Sequence, residues 1–140
     1  MRNASIAAVG RVLLASLFLM SGLSKLGAAG ATMTYIASAG VPLPGVAYAI
    51  TLVIEIGAGL LLLLGFQARV AAAVLALFSV AAAILFHGNF ADQNQVVHLL
   101  KNFAIAGGLL QMAAVGAGRL SLDARRSATL QSADAAPSAL

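Results

Sequence analysis

Apolar residues form four long runs along the chain, and polar residues interrupt each run only a few times. The runs cover about 4–26, 45–66, 69–88 and 96–118. Each approaches the roughly 20 residues that an apolar helix needs to cross about 30 Å of hydrocarbon. Because backbone N–H and C=O groups in lipid must be satisfied within the segment, these runs predict four transmembrane α-helices.

The predicted fold is an all-α integral membrane four-helix bundle spanning residues 1–126. Between the first two runs, the small residues of 27–44 include Pro42 and Pro44. Within them, 32–38 is predicted either as a short interfacial helix, anchored in lipid by Met33, Tyr35 and Ile36, or as plain loop. Residues 127–140 lack a periodic apolar face and are predicted to be a disordered cytoplasmic tail.

Glycine and alanine in the runs favour close helix packing, as at Gly57-Ala58-Gly59 and Gly107-Gly108. Composition agrees with a membrane protein, since 61% of the 140 residues are hydrophobic and only 9% are charged. The chain contains no Cys, which excludes thiolate chemistry. Its net charge of +4 comes from basic residues scattered at helix ends, which argues against nucleic-acid binding.

Lys and Arg positions predict the orientation. One side of the predicted bundle collects five arginines, namely Arg2, Arg69, Arg119, Arg125 and Arg126. The other side has Lys25 and Lys101, so both termini are predicted to face the cytoplasm. Arg11 lies inside the first run and is predicted to share an inward face with Gly22 and Lys25, as a structural or lipid-phosphate-binding residue. A cleaved signal ending near Ala29-Gly30-Ala31 is the alternative for this run.

Tyr48, Thr51 and Glu55 form one polar stripe on the second helix, within about 60° of each other. A carboxylate facing lipid would cost about 2.5–3.5 kcal/mol, so the stripe is predicted to face protein. Glu55 must then be paired, hydrogen-bonded or protonated. Its height on the helix puts it within reach of Lys25 or Lys101.

These positions predict a polar pocket in the outer half of the bundle, because ionisable residues at membrane depth mark functional sites. The predicted catalytic residues are Glu55, His87 and Lys101. The predicted cofactor-binding residues are Lys25, Tyr48, Thr51, His98 and Asn102, and no metal ligands are predicted. Purely structural interpretations remain open. Glu55 would then clasp two helices, the histidines would face headgroups, and the lysines would be interfacial anchors.

The chain resembles the DoxX family of small bacterial membrane proteins over about residues 2–126. The resemblance follows the elements in order: Arg11, Ser21-Gly22-Leu23-Ser24-Lys25-Leu26, Gly40-Val41-Pro42, Glu55, Gly57, Gly59, Leu62-Leu63-Leu64-Gly65, Arg69, His87, Lys101-Asn102, Gly107-Gly108, Gly116, Gly118, Ser121 and Asp123. One departure is Gly57-Ala58-Gly59, where family members often have paired glycines.

The resemblance implies a multi-pass protein of the bacterial inner membrane that is linked to quinone-coupled oxidation. The expected function is a quinone- or quinol-interacting subunit of an oxidoreductase assembly, with quinone as cofactor and a protein partner supplying electrons. No flavin, nicotinamide or Fe–S motif is evident in the sequence. Whether the chain alone is catalytic, and whether it forms a homo-oligomer, stays open.

Other functions compete with this one. The main alternative is a non-enzymatic membrane scaffold or a small-molecule or proton-linked carrier. Haem ligation by His87 and His98 is a weaker alternative, because both histidines are near the outer rim. A metal site of these two histidines with Asp92 is weaker still.

Overall fold

The structure is a computed structural model that describes residues 2–134. Its helices are α1 (Arg2–Gly27), α2 (Ala29–Ser38), α3 (Pro44–Leu64), α4 (Ala68–Phe86), α5 (Gln93–Val115) and α6 (Leu122–Asp134). The helices α1, α3, α4 and α5 are long and apolar enough to span a membrane. The predicted all-α architecture with four spans is therefore confirmed, and the described residues contain no strand.

Local chemistry explains why the observed helix ends differ by a few residues from the predicted runs. Asp92 starts α5 earlier than predicted, because its side chain accepts a hydrogen bond of 2.9 Å from the backbone N–H of Asn94. Gly116 ends α5 at Val115, because its φ of 95° lies in a region that favours glycine. The apolar run continues past this point, but the helix does not.

Small side chains fill the interface between helices. α1 packs along α3, and α4 packs along α5. The buried stripe of α4 consists of Ala68, Ala71, Ala72, Leu75, Ser79, Ala76 and Ala83. Lipid tails are as apolar as these side chains, so burying the side chains against another helix gives little hydrophobic gain. The helices are held together by van der Waals contacts, which small side chains allow by letting the backbones come close.

The predicted glycine contacts are only partly correct. A Cβ added to Gly59 would lie 3.1 Å from Leu19 Cδ2, so this glycine does face α1. Gly57 and Gly107 have nothing within 4 Å of such an atom, and Gly108 makes only an ordinary contact with Leu14. The tightest helix crossing is at Gly22, where an added Cβ would lie 2.7 Å from Ile56 Cγ1. Hence α1 and α3 approach most closely beside Glu55.

Of the two alternatives for residues 32–38, the structure has the helix, which begins earlier, at Ala29, as α2. The predicted lipid anchors Tyr35 and Ile36 pack on protein instead. Ile36 is buried, and the ring of Tyr35 stacks on Phe86 of α4 with centroids 5.2 Å apart. Thr32, Tyr35 and Ile36 all line a cavity in the half of the bundle that contains Lys25 and Glu55, which the sequence predicts to be the outer half. α2 therefore closes that half of the bundle on one side.

Arg11 anchors the opposite end. Its guanidinium is buried and donates hydrogen bonds of 2.7 Å to the carbonyl oxygens of both Ala117 and Leu120. The inward face predicted for α1 is thus confirmed. Because Arg11 contacts backbone inside the protein, a lipid-phosphate role for this residue is wrong.

The segment after α5 also differs from the predicted tail. Residues 127–134 continue α6, where the sequence predicts disorder, and residues 135–140 of that predicted tail lie outside the described residues. Asp123, in the first turn of α6, accepts hydrogen bonds from the backbone N–H groups of Gln67 (2.8 Å) and Ala68 (3.0 Å). α6 is thereby tied to the start of α4.

We expect Gly22→Ala to lower the melting temperature of the detergent-solubilised protein, because the new methyl group would overlap Ile56. The expected cost is about 1–3 kcal/mol, as for other overpacked interiors. Gly107→Ala is the matched control in α5 and should leave the melting temperature unchanged or slightly higher. Equal melting temperatures for the two variants would contradict this helix crossing.

Candidate functional site

The centre of the site is an ion pair between α1 and α3. Lys25 Nζ lies 2.9 Å from Glu55 Oε1 and 3.0 Å from Oε2, so the ammonium group bridges both carboxylate oxygens. Ser21, one turn earlier on α1, donates a hydrogen bond of 3.0 Å to Oε1 and accepts one of 2.7 Å from Lys25. Glu55 is 3% exposed. The prediction that this acid faces protein and has a basic partner is confirmed, and the partner is Lys25.

The backbone around Glu55 is not regular α-helix. Val53–Ala58 form a π-helical segment within α3, and Glu55 lies inside it. Wider turns of this kind occur often at functional sites, because they change the direction of the side chains that follow. Tyr48, before this segment, donates a hydrogen bond of 3.1 Å to the carbonyl oxygen of Lys25. α3 therefore holds both the side chain and the backbone of Lys25.

Beside the ion pair lies a cavity of about 450 Å³, within the usual size range of ligand sites of about 300–1,000 Å³. We call it the outer cavity. Its polar lining consists of Ser21, Lys25, Thr32, Tyr35, Thr51, Glu55, Ser79, His87 and Asn102. The remaining lining is apolar and comes mainly from α1, α3 and α4. The cavity is thus an apolar chamber with one charged wall.

The lining of the outer cavity includes exposed apolar residues of α3 and α4. The π segment and inner part of α3 pack on α4, whereas its outer part, Pro44–Leu52, packs on α1 and α2. Ile50 of α3 and Leu85 of α4 both line the cavity, yet they are 54% and 52% exposed. Both residues belong to helices that are long and apolar enough to span a membrane.

The two histidines form a pair at the rim. Their rings stack with centroids 5.2 Å apart and an interplanar angle of 20°. His87 lines the outer cavity, and its Nδ1 lies 2.8 Å from Gln95 Oε1. His98 supports the His87 ring and does not line the cavity. Rings stacked face to face do not point their nitrogens at a common iron, so this geometry does not fit a haem between them.

Lys101 and Asn102 are neighbours on α5, but only Asn102 lines the outer cavity. Asn102 lines the outer cavity, and its Nδ2 donates a hydrogen bond of 3.0 Å to the carbonyl oxygen of His98. Lys101 is exposed and does not line the cavity, so the structure does not place it beside Glu55. A single helical step of about 100° separates the two side chains. That step carries Lys101 away from the predicted pocket.

Ser21 is the important residue that the sequence prediction left out of the site. The sequence spacing could have identified Ser21, because residues four apart share a helix face and Ser21 precedes Lys25 by four residues. Tyr35 and Ser79, which also line the cavity, gave no such signal. Within residues 2–134, no group of three His, Asp or Glu side chains comes close enough to hold a metal ion.

Chemically, the site is a hydrogen-bonded ion pair in the wall of a cavity. All three N–H donors of Lys25 are occupied by Glu55 and Ser21, so the resting network is complete. A ligand carbonyl would have to take one of these donors, and the remaining acceptor capacity of Glu55 could receive an O–H. Apolar walls lower the local dielectric constant, which strengthens both interactions.

The amino-acid sequence matches one protein family and two proteins of known location. The DoxX family model matches residues 6–88. The inner membrane protein YqjF of Escherichia coli K12 is 36% identical over 115 residues, which is 82% of this chain and 87% of that protein. The inner membrane protein YphA of the same organism is 32% identical over 123 residues, or 84% and 87% of the two chains. No solved structure matches the chain significantly.

We expect the ion pair to show strong coupling in a double-mutant cycle. Lys25→Met should destabilise the protein by about 3–5 kcal/mol, because it leaves the more deeply buried Glu55 unpaired. Glu55→Gln should cost less, about 1–2 kcal/mol, because Lys25 is 28% exposed and the amide still accepts a hydrogen bond. The double variant should recover most of the loss, because no unpaired charge remains buried.

Chemical or thermal unfolding in detergent measures these differences. Gln111→Leu on α5 is the control, since Gln111 is exposed and should be neutral. Additive losses in the double variant would mean that Lys25 and Glu55 do not interact.

Proposed function

This chain belongs to the DoxX family of inner-membrane proteins, and on that premise we propose that it binds a quinone or quinol as the membrane subunit of an oxidoreductase assembly. The single observation that carries the proposal is the outer cavity, an apolar chamber between membrane-spanning helices with the ion pair of Lys25 and Glu55 in its wall. Its proposed lateral opening to the bilayer lies between the exposed lining residues Ile50 and Leu85. A ligand for such a chamber dissolves in lipid and carries a polar head.

The polar lining matches the hydrogen-bonding needs of a quinone head group. Quinone carbonyls accept hydrogen bonds, which Lys25 and the amide of Asn102 can donate. Quinol hydroxyls donate hydrogen bonds, and the Glu55 carboxylate accepts them. Donors and an acceptor on one wall therefore suit both redox forms.

The apolar lining matches the rest of such a molecule. Phe18 and Phe78 line the chamber with broad hydrocarbon faces on which a planar ring can pack. An isoprenoid tail would leave between Ile50 and Leu85, where exposed apolar side chains meet the acyl chains of the bilayer. This arrangement favours a lipid-soluble ligand over a water-soluble one.

When bound, a quinone would supply two-electron, two-proton redox chemistry. The residues of this chain orient the ring, exclude water and hold the protons. Glu55 and Lys25 hold a proton at the inner wall of the cavity, and His87 with Gln95 lies at its rim. His87 is the residue best suited to exchange protons between the cavity and the outer surface. Electrons enter from a partner protein.

The orientation predicted from the arginines puts the outer cavity near the periplasmic surface. Protons taken up or released by His87 would then exchange with the periplasm. The electron-donating partner would dock on the same side, where α2 and the α4–α5 connection surround the cavity. This arrangement is part of the proposal.

We expect Leu85→Trp to block the lateral opening and to lower the amount of retained quinone about tenfold. A tenfold change corresponds to about 1.4 kcal/mol of binding free energy, which lies within the usual cost of a poor fit. Leu77→Trp on the same helix is the control, because Leu77 is exposed and does not line the cavity. Wild-type protein and both variants are purified in mild detergent, and extracted quinone is measured by mass spectrometry.

Melting temperatures of the variants confirm that each is folded. Stoichiometric quinone in the wild type and the Leu77→Trp variant, with loss in Leu85→Trp, supports the proposal. Equal quinone in all three contradicts entry of quinone beside Leu85. A stoichiometric protein partner with no quinone contradicts quinone binding and favours a scaffold.

A further inference from the structure

A second depression lies at the opposite end of the molecule from the outer cavity. It is an open groove of about 710 Å³ between the start of α4, the turn after α5 and the helix α6. We call it the basic groove, because Arg69, Arg119 and Arg126 all line it. All three side chains are exposed, one on each of these three elements.

The backbone helps to shape the groove around Arg69. A Cβ added to Gly116 would lie 3.2 Å from Arg69 Nε, so the guanidinium lies across a glycine that leaves room for it. Arg69 donates only one long hydrogen bond, 3.4 Å from Nη2 to the carbonyl oxygen of Val115. Most of the five N–H donors of this guanidinium therefore stay available to a ligand.

The charge of the groove is not neutralised from within. Asp123 is the acidic residue in its lining, and both its oxygens already accept backbone hydrogen bonds from Gln67 and Ala68. Among the side chains that the structure describes, the only ion pair joins Lys25 to Glu55 at the other end of the bundle. Among the side chains that the structure describes, the lining thus has three arginines against one carboxylate and keeps a net positive charge.

Apolar side chains complete the groove on the side of the bilayer. Val70, Val115 and Leu130 line it and are 60%, 76% and 58% exposed. Val70 and Val115 belong to membrane-spanning helices, at the ends where these helices leave the hydrocarbon. The groove therefore joins a positive rim to an apolar wall at the level of lipid headgroups.

We infer that the basic groove is a binding site for an anionic glycerophospholipid of the leaflet that this end of the protein faces. The lipid phosphate contacts Arg69, Arg119 and Arg126, which suits the planar, forked guanidinium. The acyl chains lie against Val70 and Val115. A free phosphate ion would satisfy the arginines, but it would leave the apolar wall uncovered. This inference does not depend on the proposed quinone site.

The test compares lipid binding by two variants of the protein, each lacking one of two neighbouring arginines of α6. Arg126 lines the groove, whereas Arg125 is equally exposed and does not line it. Phosphatidylglycerol is added to delipidated protein in detergent, and bound lipid is counted by native mass spectrometry. We expect Arg126→Gln to weaken binding about fivefold, since each basic residue near an anionic headgroup contributes on that scale. Arg125→Gln should weaken binding by less than about twofold.

Further probes identify the ligand chemistry. Phosphatidylcholine should bind at least several times more weakly than phosphatidylglycerol to the wild type. The Arg69→Gln/Arg126→Gln variant should lose the preference between the two lipids, while circular dichroism and melting without lipid show that it is folded. The exposed Arg126→Gln variant keeps the test decisive if the double variant is unstable.

Three results would overturn the inference. One is equal loss of phosphatidylglycerol in Arg125→Gln and Arg126→Gln. Another is no preference of the wild type for phosphatidylglycerol over phosphatidylcholine. The third is displacement of the lipid by inorganic phosphate at constant ionic strength, which would mean that the apolar wall contributes nothing and the site recognises a soluble anion.

Discussion

The burial of one carboxylate in an apolar bundle controls the outer half of this structure. Glu55 is almost fully enclosed, and an unpaired charge at that depth would cost several kcal/mol. Lys25 and Ser21 remove this cost only if α1 is rotated and aligned so that both reach the same two oxygens. Pairing thereby fixes the register of α1 against α3, and Gly22 permits the close approach that the pairing requires.

Polar side chains at the two ends of the bundle have different kinds of hydrogen-bond partners. At the basic end, Arg11 and Asp123 satisfy backbone carbonyl and N–H groups of the connecting turns, so their hydrogen bonds close the structure. At the outer end, the polar groups surround a cavity and leave capacity for a ligand. Side chains that bond the backbone of turns stabilise the fold, whereas polar side chains that line a cavity can also contact a ligand. This contrast is why the outer end is the better candidate for chemistry.

The relatives in Escherichia coli carry names that state a location and no activity, so the functional argument depends on the site itself. An opening between membrane helices admits ligands that dissolve in lipid. Hydrogen bonds inside the cavity then discriminate among the ligands that enter. A charged wall behind that opening then selects for a polar head. Quinones satisfy both requirements, and the lipid proposed for the basic groove would satisfy them at the other end of the bundle.

The sequence alone determined the four spans, the inward face of α1 and the need of Glu55 for a basic partner, because hydropathy and helical period are local properties. Tertiary structure decided which lysine is that partner. Helix positions alone put both Lys25 and Lys101 within reach of Glu55, but α5 places Asn102 in the cavity lining and Lys101 outside it. The π segment around Glu55, the stacking of His87 on His98 and the tie from Asp123 to α4 also depend on contacts between distant residues. No local pattern encodes such contacts, since each one is set by how whole helices pack together.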